Sequence, residues 1–305
     1  MTRREATKLM AGTAASLIVA PSLPAQANVS LLQRAIPSSG EMLPVIGLGT
    51  SRVFNTAPSS AAEREPLEQV VATLARMGGK IVDTSPVYGQ AEAVTGAIAA
   101  TLKLHEKLFL ATKVWMTGKA EGVQQMERSA ELLGKKTLDL IQVHNLIDWE
   151  TQLATLQEWK KQGRIRYTGI THSTTGRQGD VARVLEKERV DFVQINYSLM
   201  EREAEERVLA VAKERGVAVI VNRPFGCGDL FGRVRGKPLP EWAAEIDCKS
   251  WAQFFLKWIV AHPAVTCAIP ATSKPHHMED NLQAGLGRLP DEKMRRRMVE
   301  AMSAF

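Results

Sequence analysis

The sequence predicts an α/β protein, a (β/α)8 TIM barrel with an N-terminal β-hairpin and a C-terminal extra helix. Three observations carry the prediction. From residue 45 to residue 270, eight short runs rich in Val, Ile and Leu each precede a stretch of helical periodicity. These runs are short, largely apolar and β-branched, as expected of strands covered on both faces. The first strand–helix turn lacks G-x-G-x-x-G, which argues against a doubly wound sheet.

In order, residues 33–37 and 42–46 flank Ser38-Ser39-Gly40-Glu41, a polar turn with a glycine between apolar runs, which reads as a hairpin. Residues 45–48 form the first strand, and Gly47 and Gly49 allow close backbone approach there. Helix 63–77 follows, then strand 80–84 and helix 91–104. Strand 108–113 leads to helix 120–133, strand 138–144 to helix 151–161, and strand 166–171 to helix 180–188. Strand 192–196 precedes helix 203–215, and strand 218–222 runs through a Gly- and Pro-rich loop to helix 251–261. Strand 266–270 precedes helix 276–282, and a last helix spans 291–304. No low-complexity linker divides residues 28–305, which read as one domain.

Residues 1–27 are excluded from the barrel. Arg3-Arg4 and Lys8 precede an apolar run over 9–20 that is too short for an ordinary membrane span, and Ala25-Gln26-Ala27 is a small-x-small cleavage site. The segment reads as a signal peptide, and its paired arginines suggest the twin-arginine route. Export machinery is then a partner and the periplasm the destination, with an uncleaved, membrane-anchoring N-terminus or a cytoplasmic protein as the alternatives. Cleavage after Ala27 takes the formal charge from +6 to +4, since it removes three basic residues and one acidic.

Composition narrows the chemistry. Of the 305 residues 45% are hydrophobic, ample for one large core. Basic residues are dispersed apart from Arg295-Arg296-Arg297, which reads as a solvated helix face, so nucleic-acid binding has no motif to support it. Cys227, Cys248 and Cys267 are odd in number and lack C-x-x-C spacing, which predicts neither a disulfide framework nor a zinc site.

The strand ends carry the chemistry. Asp83 ends the second barrel strand, with Tyr88 in the loop beyond; Lys113 ends the third and His144 the fourth. In a barrel these ends converge on one mouth. Singly, each has a mundane explanation: an ion pair, a turn cap, a satisfied core histidine. Together they suit carbonyl reduction. A phenol with a pKa near 10 is a poor acid at neutral pH, and an adjacent ammonium stabilises its phenolate. Asp83 would keep Lys113 charged and in place, and His144 would orient the substrate oxygen.

These four residues, in Asp83-Thr84-Ser85-Pro86-Val87-Tyr88-Gly89 with Glu92 beyond, and the stretch Lys161-Gln162-Gly163-Arg164-Ile165-Arg166-Tyr167-Thr168-Gly169-Ile170, resemble the aldo-keto reductases. The likeness runs from about Gln33 to the last helix. It implies an NAD(P)H-dependent oxidoreductase acting on an aldehyde or ketone, with Asp83, Tyr88, Lys113 and His144 as the catalytic tetrad and Tyr88 as general acid. It further implies NADPH, with NADH possible, bound in extended form. Thr171 and His172 stand where a Ser-Asn pair holds the carboxamide, Gln194 matches a further carboxamide contact, and Tyr197 matches the aromatic that stacks on the ring. At the adenosine end Ile269, Thr272, Asp280 and Asn281 fit the family pattern. Ala271 lacks the basic residue usual there, and His277 stands in place of an arginine. Lys274, His277 and the helix start near Pro275 would then serve the 2′-phosphate. Arg223 replaces a small polar residue and would lie near the diphosphate or the substrate. Asn145 replaces an aromatic, which implies a roomier, more polar pocket. A nicotinamide-binding regulatory subunit with little turnover is the rival reading. A barrel hydrolase or isomerase ranks last, for want of H-x-H or H-x-x-x-H spacing. A monomer is favoured.

Overall fold

The computed structural model describes residues 30–57 and 59–303, so the expected signal segment lies outside the described residues. Strands β1 (Gln33–Ala35) and β2 (Met42–Pro44) pair antiparallel around a turn in which Gly40 takes φ 77°. The barrel strands are β3 (Leu48–Gly49), β4 (Ile81–Asp83), β5 (Phe109–Val114), β6 (Leu138–His144), β7 (Ile165–His172), β8 (Phe192–Asn196), β9 (Ala218–Asn222) and β10 (Val265–Ala268). They form one 8-stranded sheet in sequence order, parallel throughout. Parallel bridges from Ile46 to Ala268 and from Gly49 to Ala271 close it.

The helices are α1 (Ala61–Arg76), α2 (Ala91–Thr101), α3 (Lys119–Leu133), α4 (Trp149–Lys161), α5 (Gln178–Lys187), α6 (Val208–Arg215), α7 (Asp229–Arg233), α8 (Trp251–Val260), α9 (Pro275–Gln283) and α10 (Glu292–Ser303). Ser60 and Ser250 cap α1 and α8 by accepting from the backbone N–H three residues on, at 3.4 and 3.1 Å. Pro275 opens α9 at a position where a missing N–H costs nothing.

The period-2 alternation of the strands sorts the interior into two zones. Toward the N-terminal end, Ile81, Phe109, Leu140, Tyr167, Phe192 and Ala218 form an apolar cluster, which the hairpin residues Ile36 and Leu43 join from below. The hairpin is thus a plug, fastened by Tyr167, whose hydroxyl donates to Glu41 at 2.7 Å. Two positions further along β4, β5, β6, β8 and β9, counting from Ile81, Ala111, Leu140, Phe192 and Ile220, the residues are Asp83, Lys113, Gln142, Gln194 and Asn222. The strand ends are therefore polar where the strand starts are apolar.

Three expectations change. The first strand closes the sheet at Leu48–Gly49 rather than over 45–48. A Cβ on Gly49 would lie 2.8 Å from the Ile269 carbonyl, so the glycine is what permits that approach. The helix expected over 203–215 breaks into a 3-10 turn, Glu203–Glu205, and α6, and Glu205 receives Tyr197 and Arg202. The loop after β9 contains α7 and two 3-10 turns, held by buried Leu230, Ala243 and Ile246.

Gly96 shows how tightly the outer layer is set. A Cβ there would lie 2.0 Å from the Leu132 carbonyl of α3. Gly→Ala in a helix ordinarily stabilises by about 0.5–1 kcal/mol. In Gly96→Ala we expect the opposite sign, a loss of about 1–3 kcal/mol, because backbone cannot yield as a side chain can. Thermal unfolding checks this; an unchanged or raised Tm would refute the packing account.

Candidate active site

Asp83, Lys113 and Gln142 are set side by side by strand register, Asp83 opposite Ala111 and Lys113 opposite Gln142. Gly169, opposite Gln142 on β7, makes room for it, since a Cβ there would lie 3.0 Å from the Gln142 Cγ. Lys113 is fully buried, and its Nζ donates to Asp83 Oδ1 at 2.7 Å, Asp83 Oδ2 at 3.0 Å and the Thr84 carbonyl at 2.7 Å. Gln142 Nε2 adds a bond to Asp83 Oδ2 at 3.3 Å. Burial by itself pulls the ammonium pKa down. Asp83, with a smaller contribution from Tyr88, outweighs that and holds it above the ordinary lysine value. Lys113 is therefore a cation at neutral pH.

The Lys113 Nζ lies 5.1 Å from the centre of the Tyr88 ring. Tyr88 meets His144 edge-on, ring centres 6.1 Å apart, and the Trp115 ring centre lies 5.5 Å from that of His144. Ser85 Oγ is 3.3 Å from His144 Nδ1. Burial, then the nearby Lys113 and His172, push the His144 pKa down to about 3. The imidazole is thus neutral at physiological pH and can donate from one ring nitrogen.

A cavity of about 520 Å³ opens above these groups. Its wall includes Asp83, Tyr88 and His144, with Gln194, Arg223 and Ile269 across the mouth. Of the eight non-glycine residues with positive φ in the described chain, Arg52, Asn145, Arg223 and Cys227 all line this cavity. Strained backbone is thus concentrated at the mouth, as it is at functional sites.

The cofactor-side expectations divide. Thr171 Oγ1 donates to Gln194 Oε1 at 3.2 Å, which turns the Gln194 Nε2 away from it; that buried nitrogen has no partner among the described residues. Asn222 Oδ1 is likewise buried and unpartnered on the cavity wall. A free donor and a free acceptor are what a primary carboxamide requires. His172 is turned to its own loop, Nδ1 accepting from Thr174 N at 3.1 Å, and burial, then Arg177, lower its pKa.

At the other end of the expected cofactor track, Thr272 caps the turn before α9, its Oγ1 accepting from Lys274 N at 3.0 Å. Lys274 is the exposed N-cap residue of α9. His277 is exposed in the first turns of that helix, its pKa lowered by partial burial, then His276 and Lys274. Asp280 is committed to α8, accepting from Ser250 Oγ at 2.7 Å and Gln253 Nε2 at 2.6 Å, and Asn281 is buried. None of Thr272, Lys274, His277, Asp280 and Asn281 lines the mouth cavity; they sit on the segment running from Ala271 into α9.

Tyr197 requires a correction. It is fully buried off the cavity wall, its ring 4.9 Å from Trp258, and its hydroxyl donates to Glu205 and accepts from Arg295. It ties α8 and α10 to the barrel and has no free ring face to offer. Asn196 is the last residue of β8, so Tyr197 already lies beyond the strand alternation that aims Gln194 inward. Conversely, Asn222 can be found by counting twos from Ala218 and Ile220, and Trp115 by counting twos from Ala111 and Lys113, whereas Arg52 and Phe231 reach the cavity from segments beyond the strands that carry no periodic signal.

The His144 shift fixes a pH dependence. Its folded pKa lies below the unfolded value of 6.5, so its contribution to stability is present above pH 6.5 and is lost as pH falls toward about 3. We expect the His144 ring signals in NMR to show no protonation between pH 5 and 8; a midpoint near 6.5 would refute the buried, neutral assignment.

The family model for the Aldo/keto reductase family matches residues 45–298. The chain is 26% identical over 257 residues to the methylglyoxal reductase YeaE of Escherichia coli, covering 82% of this chain and 88% of that one. It is 24% identical over 262 residues to the 9,11-endoperoxide prostaglandin H2 reductase of Trypanosoma cruzi, covering 83% and 86%. An aldo-keto reductase of Klebsiella pneumoniae solved with NADPH superposes with a TM-score of 0.73 at 22% identity, covering 89% of this chain and 96% of that chain. The tetrad geometry and the family match agree, and the chain belongs to the aldo/keto reductase family.

Proposed function

We propose that the protein is an NADPH-dependent reductase of aldehydes or ketones, with NADH as a possible substitute. The observation that carries this is the Asp83–Lys113 pair set beneath Tyr88 at the cavity that His144 also lines. The unpartnered Gln194 Nε2 and Asn222 Oδ1 suit the carboxamide of a nicotinamide, and Lys274 and His277 supply basic groups for a phosphate end. A bound nicotinamide supplies hydride to the carbonyl carbon.

The protein's own residues handle the proton. Tyr88 gives its hydroxyl proton to the carbonyl oxygen, and the Lys113 cation stabilises the phenolate left behind. Asp83 keeps Lys113 charged in a place where an unpaired ammonium would shed its proton. Ser85 Oγ lies 3.3 Å from His144 Nδ1; with Nδ1 as the acceptor of that contact, the imidazole carries its proton on Nε2, which donates to the substrate oxygen.

Tyr88→Phe removes the acid and leaves the ring. We expect turnover with an activated aromatic aldehyde, followed by NADPH absorbance, to fall by about 10²-fold or more. NADPH binding, followed by its fluorescence, stays within about twofold, as expected of a residue needed for the proton and not for uniform binding. Equal turnover in parent and variant would remove Tyr88 from the mechanism. Binding without turnover in either protein would favour the regulatory reading.

We propose further that the protein is exported to the periplasm. Arg3-Arg4, the apolar run over 9–20 and Ala25-Gln26-Ala27 support this reading. A mature N-terminus at Asn28 in the periplasmic fraction is expected, with Arg3→Lys/Arg4→Lys retaining the protein in the cytoplasm. An intact Met1 terminus in the cytoplasmic fraction of the parent would refute export.

A further inference from the structure

Among the described residues, the mouth cavity carries positive charge without a free counter-charge. Arg52 and Arg223 both line it, and the one carboxylate on its wall, Asp83, is engaged by Lys113 through both oxygens at 2.7 and 3.0 Å. Among the described residues, neither guanidinium has a hydrogen-bond or ion-pair partner. Both residues are exposed, and both hold a left-handed backbone, φ 66° at Arg52 and φ 47° at Arg223. For a residue other than glycine that conformation costs about 1–3 kcal/mol, and it persists where the surroundings impose it.

The two arginines reach the cavity from either side of β10, Arg52 from the loop after β3 and Arg223 from the end of β9. The Arg52 loop is fastened to the loop of Tyr88, since Gln90 N donates to Asn55 Oδ1 at 3.0 Å. Around the same cavity Val87, Trp115 and Phe231 are 38%, 40% and 39% exposed, an apolar rim open to solvent. A ligand that satisfies this wall has a carbonyl for Tyr88 and His144, an apolar or aromatic body for the rim, and an oxyanion for the guanidiniums.

We propose that Arg52 and Arg223 form an oxyanion-binding pair that selects apolar or aromatic carbonyl substrates bearing their own carboxylate or phosphate. The oxyanion is a handle: the carbonyl carbon takes the hydride, its oxygen takes the Tyr88 proton, and the handle is unchanged. The inference rests on the reductase reading above. The same chemistry could also meet the diphosphate of the cofactor, and the test separates the two sources.

The probes are 4-carboxybenzaldehyde and its methyl ester, which differ in charge and share the aromatic aldehyde. The variants are Arg52→Asn, Arg223→Asn and the double substitution, because asparagine tolerates the left-handed backbone that both positions require. The parent is expected to favour the acid in kcat/KM by about tenfold or more, as a charge-assisted hydrogen bond allows. In the double variant that preference falls toward unity, chiefly through KM for the acid, and added salt erodes it in the parent. NADPH dissociation constants are measured in parallel by fluorescence. A parent that reduces the ester but shows no preference for the acid overturns the inference and leaves the reductase reading standing. So does a double variant that binds NADPH more weakly and loses both aldehydes alike, which would assign the arginines to the cofactor diphosphate. A parent that binds NADPH and reduces neither aldehyde overturns both readings.

Discussion

The ion pair between Lys113 and Asp83 is the constraint on which the mouth of the barrel depends. An ammonium with no exposed surface is tolerated only when its charge and all its donors are met. Here two carboxylate oxygens and the Thr84 carbonyl meet them, and Gln142 braces the carboxylate from the next strand but one. Removing one partner of such a pair typically costs about 3–5 kcal/mol, because the other is left buried and charged. The pair therefore fixes the ends of β4 and β5 against each other, and it fixes a cation beneath the Tyr88 ring. Stability and chemistry draw on the same contact.

The rest of the interior supports that arrangement by zoning. The N-terminal end is filled by Phe109, Tyr167 and Phe192, whose rings lie 5.5–5.8 Å apart, and is covered by the hairpin. With one end sealed, the polar layer above it can be reached through the mouth. The burial that depresses the His144 pKa follows from this, since the ring lies on the wall of a deep pocket beside a fixed cation. A neutral imidazole next to a phenol leaves the phenol as the group with a proton to give to a carbonyl oxygen.

Loops decide what else can enter. The positive backbone angles at Arg52, Asn145, Arg223 and Cys227 turn side chains of different loops and strand ends toward one space. Asn145 is held there by Ser173, whose backbone N–H donates to its Oδ1 at 3.1 Å. The result is a wall that joins apolar surface, unpaired guanidinium groups and amide groups above a common tetrad. Variation of such loops on a constant barrel is how one fold serves many substrates.

Much of this was legible in the sequence. The eight strands and their helices follow from apolar runs and helical periodicity, and Asp83, Lys113 and His144 follow from their places at strand ends, because those signals are local and repeat along the chain. The chemistry of the four residues pointed to Tyr88 as the acid, and the family resemblance added Gln194 as a carboxamide contact. Where adjacent residues compete for one role, the sequence misleads: Tyr197 looks like a ring-stacking aromatic, yet the strand has ended and the side chain is claimed by Trp258, Glu205 and Arg295. The sequence alone determined the barrel, its order and the chemical types gathered at its mouth. Only the tertiary structure decided that Asn222 shares the cavity with Gln194, that Asp280 serves α8, and that Arg52 and Arg223 face one space with no free counter-charge among the described residues. Those facts depend on contacts between segments far apart in the chain and on loop backbone angles, for which the sequence carries no periodic signal.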